Sequence, residues 1–181
     1  MKIISGSLKG REIKGYTIDG TRPTMDRVKE SMFAIIQDYI RDSVCLDLFS
    51  GTGNLGIEAI SNGAKRVYFN DKNKLAVKVI KDNINKFNIQ DKCEVINKDY
   101  IDALDYYQSN HIKFNIVFLD PPYDNKVITE IFKMLYRKKL LKKNAIVVCE
   151  YTDQNIEEEY FDVIKSKNYG YKKVGIYVQK K

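Results

Sequence analysis

Cysteine, proline, histidine and long apolar runs are all scarce in this 181-residue chain, and each scarcity narrows what the protein can be. The three cysteines, Cys45, Cys93 and Cys149, are odd in number and widely spaced, with no CxxC pair. That argues against a disulfide framework and against a cysteine-based zinc site, so no metal is expected. Cys45 and Cys149 sit inside apolar stretches and read as plain core thiols. No apolar run approaches the roughly 20 residues that a membrane-spanning helix needs. The N-terminal stretch "MKIISGSLKGREIK" has no long apolar core and no small-residue cleavage site, so no secretory signal is expected, and a reducing cytoplasm fits. His111 is the sole histidine, falls in a predicted loop and receives no role. Of the three prolines, two stand side by side in "NIVFLDPPYD", directly after an apolar run.

What is present suits a soluble globular protein: 44% hydrophobic residues for a core and 30% charged residues for a surface. The length suggests one domain, or one domain with a small appendage. The net charge of +7 favours a polyanionic partner, nucleic acid being the commonest, although a lysine-rich surface also serves solubility alone.

Residues 1–20 read as a small β-hairpin, with "KIIS" and "REIKGY" as strands about a "GSLKG" turn. "RPTMDRVKESMFAIIQDYI" reads as a helix with Thr24 as N-cap and Asp26 in the first turn. Val28, Met32, Ile35, Ile36 and Tyr39 form its apolar face; Arg27, Lys29 and Glu30 are assigned to the other. From residue 44 strand and helix signals alternate: "VCLDLF", "RVYFND", "CEVINKD", "FNIVFLD" and "AIVVCEY" as strands, separated by helical stretches. "YFDVIKSKNYG" and "VGIYVQKK" read as a closing antiparallel pair. This pattern predicts an α/β fold with a doubly wound sheet covered on both faces, which binds ligands at the carboxyl ends of its strands.

"DLFSGTGNLG" carries G-x-G-x-x-G at Gly51, Gly53 and Gly56, after a strand and opening a helix, the context that gives the motif value. Asp71 ends the next strand and can accept ribose hydroxyls of an adenosine-containing ligand. Asp47, just before the loop, would repel the pyrophosphate of a dinucleotide and attract the cationic methionine end of S-adenosylmethionine. Asp99, ending the third strand, lies where an acid can meet the adenine amino group. The loop therefore favours S-adenosylmethionine over a nicotinamide or flavin dinucleotide; the plain alternative is a tight strand-to-helix turn and nothing more. Phe49, within the loop, joins the cofactor candidates.

The proline pair answers to the same edge. Pro121 and Pro122 fix the backbone after the fourth strand, so that the Asp120 carboxylate and the Pro121 carbonyl can be aimed at one point. Two acceptors aimed together suit an NH2 group, and Tyr123 offers a ring face for a nucleobase. Both hydrogen bonds would favour a pyramidal amine whose lone pair faces the methyl donor, and the carboxylate would stabilise charge developing on nitrogen. The plain alternative is a stiff turn with Tyr123 in the core.

"IISGSLKGREIK", "TRPTMDRVKESMFAII", "CLDLFSGTGNLGIEAISNGA" and "NIVFLDPPY", in this order and spacing, resemble the bacterial 16S rRNA guanine-N2 methyltransferase family, of the small-subunit methyltransferase D type. The resemblance covers nearly the whole chain. It implies a Rossmann-like, seven-stranded class I methyltransferase domain over 23–181 with an N-terminal hairpin extension over 1–22. It implies methyl transfer to the 2-amino group of a guanine in 16S rRNA, with a partly assembled small subunit as substrate and a monomeric, cytoplasmic enzyme. By the motif match, Asp120, Pro121, Pro122 and Tyr123 would be catalytic, and Asp47, Gly51, Gly53, Asp71 and Asp99 would line the cofactor pocket. One departure is slight: Ser50 and Thr52 stand where the family often has alanine and serine.

Lys9, Arg11, Arg22 and Arg27 cluster near the N-terminus, with Lys2 and Lys14 close by, and form the candidate RNA-docking patch; a merely solvated face is the competing reading. Two other function classes stay open. One is an amino-methyltransferase acting on adenine or cytosine of DNA or RNA, disfavoured for DNA because the chain has no obvious target-recognition domain. The other is an RNA-binding module without activity, against which the intact Asp-Pro-Pro-Tyr stands.

Overall fold

The computed structural model describes residues 1–15, 23–122, 125–152, 156 and 158–181. Among them, seven strands form one mixed sheet in the order β3-β2-β1-β4-β5-β7-β6. The strands are β1 (Val44–Asp47), β2 (Arg66–Asn70), β3 (Cys93–Ile96), β4 (Phe114–Leu119), β5 (Leu141–Thr152), β6 (Phe161–Tyr169) and β7 (Lys172–Gln179). The first five run parallel, and β7 inserts antiparallel between β5 and β6. The helices are α1 (Pro23–Ile40), α2 (Asn54–Ser61), α3 (Lys74–Lys86), α4 (Tyr100–Ser109) and α5 (Asn125–Arg137).

Each central strand alternates its side chains between two cores. Cys45, Val67, Phe69, Ile116, Phe118, Ile146 and Val148 face α1, α2 and α3. Leu46, Tyr68, Val117, Leu119, Val147 and Cys149 face α4 and α5, whose Leu104, Tyr107, Ile131 and Phe132 are buried against them. Fully apolar strands are what a sheet covered on both faces demands. The strand order reverses between β1 and β4, the place where a doubly wound sheet opens a crevice at its carboxyl edge. No described helix is long and apolar enough to cross a membrane.

The predicted hairpin is present only in reduced form. Lys2 and Glu12 make a single antiparallel bridge, and Ile3 and Ile13 are buried in the first core. Residues 16–22 lie outside the described residues, as does the side chain of Thr24, so its predicted cap does too. The α1 face holds at Val28, Met32 and Ile36, whereas Tyr39 is exposed. Lys29, assigned to the outer face, is 2% exposed. The reason is a partner that helical periodicity does not reveal: Lys29 Nζ lies 3.1 Å from the Glu58 carboxylate and donates to the Lys2 carbonyl and Asn54 Oδ1, each at 2.7 Å. Glu58 also accepts from the Ile4 and Ser5 amides and from Ser5 Oγ. This buried network ties the N-terminal segment to α1 and α2.

Candidate active site

The loop between β1 and α2 bends through left-handed backbone at Gly51 (φ 57°) and Gly53 (φ 85°), a region costly for any residue bearing a Cβ. Gly56 serves packing instead: a Cβ there would come within 2.3 Å of the Phe69 ring. Two acids brace this loop, and a third stands at the end of β3. Asp47, 2% exposed, accepts the Gly56 amide at 3.1 Å. Asp71 accepts the Gly51 amide on one oxygen and the Asn73 amide on the other, both at 2.9 Å. Asp99 is the N-cap of α4, accepting from the Ile101 amide at 3.0 Å. Buried Asn70 ties the strand ends together, donating to the Leu48 and Lys98 carbonyls and accepting the Lys98 amide.

A cavity of about 220 Å³ opens beside the loop, lined by Asp47, Phe49, Gly51, Lys29, Asp120 and Glu150 among others. Asp120 follows β4 directly, and the Leu119–Cys149 pairing sets it beside Glu150 on β5. Lys172 on β7 donates to Glu150 Oε1 at 2.6 Å. The electrostatics are those of an acidic pocket short of cations. Burial pushes the Asp47 carboxyl up to about 7; the Gly56 amide works the other way, while Asp120 and Asp71 add to the rise. Asp120 is partly open to solvent, yet desolvation by the protein around it and then Glu150 raise its pKa, against the pull of Lys172. Burial works against the Lys172 charge, but Glu150 and Asp120 outweigh it and hold that pKa above its ordinary value. Such a donor set fits a cationic, phosphate-free ligand and is ill suited to a pyrophosphate.

The family described as "Conserved hypothetical protein 95" matches residues 1–178. A Haemophilus influenzae protein named ribosomal RNA small subunit methyltransferase D is 36% identical over 174 residues, spanning 94% of this chain and 89% of that one. The chain belongs to the ribosomal RNA small subunit methyltransferase D family. A solved Escherichia coli structure described as a methyltransferase superimposes with a TM-score of 0.87 at 26% identity, over 99% of this chain and 98% of that one. A more distant methyltransferase structure, complexed with SAH, shares the fold at 16% identity, with a TM-score of 0.68 over 87% of this chain and 50% of that one. The class I methyltransferase fold expected from the sequence is thereby borne out.

In this methyltransferase the expected residues gather unevenly. Asp47, Phe49, Gly51 and Asp120 share the cavity, and Asp71 and Gly53 stand in or against its glycine loop. Asp99 is exposed and does not line the cavity. Pro121 is half-buried and Pro122 exposed, while Tyr123 lies outside the described residues. Lys9 and Arg27 are exposed. Arg11 is exposed as well, but its guanidinium donates to the Lys86 carbonyl and sits 4.7 Å over the Phe87 ring, docking the N-terminal segment on the end of α3. Lys14 pairs with Asp82 at 3.1 Å, and Arg22 lies outside the described residues. Sequence reasoning missed Lys29, Glu58, Glu150 and Lys172. For Glu150 a signal existed: it is an acid that follows an apolar run, as Asp47, Asp71 and Asp120 do.

Proposed function

We propose that this protein transfers a methyl group from S-adenosylmethionine to the 2-amino group of a guanine in 16S rRNA. The observation that carries the reading is the sharing of one cavity by Asp47 and Asp120, which end the adjacent strands β1 and β4 on either side of the sheet's switch point. When bound, S-adenosylmethionine supplies an electrophilic methyl carbon there. Asp47, buried and raised toward neutrality, offers its charge to the ligand's ammonium end. Asp71 holds the glycine loop open and presents its remaining lone pairs to ribose hydroxyls. Asp99, already a helix cap, keeps acceptor capacity for an adenine amino group.

Asp120 then works on the base. Together with the Pro121 carbonyl it accepts the amine hydrogens, orients the nitrogen lone pair and stabilises the positive charge that grows there. Tyr123 supplies the stacking face. The relatives' name carries the substrate class, ribosomal RNA of the small subunit. Residues 1–22 act as an extension that docks RNA on the 23–181 catalytic domain through Lys9, Arg11 and Arg22, together with Arg27 of that domain. The enzyme works as a cytoplasmic monomer on a small-subunit assembly particle.

The test is to incubate small subunits from cells lacking the protein with labelled S-adenosylmethionine, digest the RNA and identify the labelled nucleoside. N2-methylguanosine at one position supports the reading. N6-methyladenosine or N4-methylcytosine overturns the guanine assignment, and absence of transfer overturns the enzyme.

A further inference from the structure

Beyond Asp120, the cavity wall continues onto β5, and β7 lies next to it. β4, β5 and β7 are adjacent in the sheet, and they carry Asp120, Glu150 and Lys172 in that order. Glu150 pairs across the ladder with Val174, and Lys172 lies two positions further along β7, on the same face and within diagonal reach. The contact is made: Lys172 Nζ is 2.6 Å from Glu150 Oε1. Glu150 lines the cavity beside Asp120. The cavity thus presents the Asp120 and Glu150 acceptors on β4 and β5, and Lys172 on β7 adds a donor at its rim, held there by its bond to Glu150.

A guanine's Watson–Crick edge reads, in order, 2-amino donor, N1–H donor, O6 acceptor. We propose that Glu150 and Lys172 select guanine, Glu150 accepting from N1–H and Lys172 donating to O6 while Asp120 takes the 2-amino group. This rests on the guanine-N2 reading above and adds to it the residues that discriminate. Adenine, with its amine in place, would set a bare N1 acceptor against Glu150; cytosine would set N3 there. Either leaves a half-buried carboxylate facing a lone pair, the kind of mismatch that yields large discrimination ratios.

The experiment uses small subunits assembled on 16S rRNA that carries guanosine, 2-aminopurine or 2,6-diaminopurine at the mapped position. Both analogues keep the 2-amino group but replace N1–H with an acceptor; the first removes O6 and the second puts an amine in its place. Wild-type enzyme should prefer guanosine by at least about a hundredfold in kcat/KM. Glu150→Gln, whose amide donates where the carboxylate accepted, should lose on guanosine yet hold or gain on 2,6-diaminopurine, compressing the ratio at least about tenfold. Lys172→Met should narrow the gap between guanosine and 2-aminopurine. A merely structural Glu150 would lower all three substrates by one factor, and that result overturns the proposal. So does wild-type enzyme that methylates 2-aminopurine as well as guanosine, though N2 transfer itself then stands. Failure to methylate the guanosine control overturns the guanine-N2 reading and this one with it.

Discussion

Glu58 on α2 and Asp47 at the end of β1 are both buried carboxylates, and the protein surrounds them in opposite ways. Glu58 is wholly buried and answered by Lys29, the Ile4 and Ser5 amides and the Ser5 hydroxyl. Asp47 is as deeply buried but receives one amide, from Gly56, and faces two more acids, Asp120 and Asp71. The chain supplies a counter-ion to Glu58, whereas acids are what faces Asp47. A buried charge left short of partners is costly, and such sites cluster where a function needs them. The contrast separates an acid that the fold answers from an acid that it leaves short of partners.

The largest effect should come from breaking the satisfied network. Glu58→Ala strands the Lys29 ammonium in the interior, an outcome expected to cost about 3–5 kcal/mol of stability in urea unfolding. Replacing both members by apolar residues, Lys29→Met with Glu58→Leu, should recover most of that loss, because the pair's own desolvation cost disappears with it. Asp47→Asn should change stability by only about 1 kcal/mol, since one amide contact is altered while repulsion from Asp120 and Asp71 is relieved. Equal losses at positions 58 and 47 would erase the distinction.

A smaller effect, in rate and not in stability, should follow at the cavity. Asp120→Ala is expected to lower turnover at least about a hundredfold, some 2.7 kcal/mol of transition-state stabilisation, with cofactor affinity and folding nearly intact. Single-turnover rates alongside calorimetric cofactor binding would separate the two readouts. Unchanged turnover would remove Asp120 from the chemistry and place it with the scaffold.

The sequence made one of these two regions legible and hid the other. Strand-end acids beside a glycine loop advertise themselves because each breaks an apolar run at a predictable sheet edge, so Asp47, Asp71 and Asp120 were readable without coordinates. The reading placed Asp99 among them, and the structure gives it a capping bond first. Lys29 and Glu58 carry no such signature. A charged residue beside an apolar stripe reads as solvated, and only the docking of residues 2–5 over α1 and α2 buries it. The segments "KIIS" and "REIK" do meet antiparallel, with backbone bonds between Ile3 and Arg11 and between Ile13 and Met1, over a shorter ladder than their apolar residues suggest. Ile3 and Ile13 are apolar because they enter the first core, not because a long ladder requires them. Lys172 was invisible because its meaning depends on β7 inserting beside β5, which puts its ammonium on Glu150 across the ladder.

The finest test of the contrast is titration. The Asp47 value near 7 lies above the roughly 3.9 of an unfolded aspartate. Between those values the folded protein keeps a proton that the unfolded chain has released, so this residue's contribution to stability falls as pH rises from about 4 to about 7 and then levels. A ligand that brings a cation favours the ionised carboxylate, so its binding must expel that proton below pH 7. S-adenosylmethionine affinity should therefore weaken on the order of tenfold from pH 7 to pH 5.5, a window that stays clear of the ligand's own α-amino group, which titrates at about 7.7–8.0. In Asp47→Asn the affinity is lower throughout, but its pH dependence over that window should flatten, because no proton remains to be displaced at position 47. Parallel slopes for the two proteins would assign the proton to Asp120 or Asp71 instead, and Asp47 would then be a loop brace like any other buried acceptor.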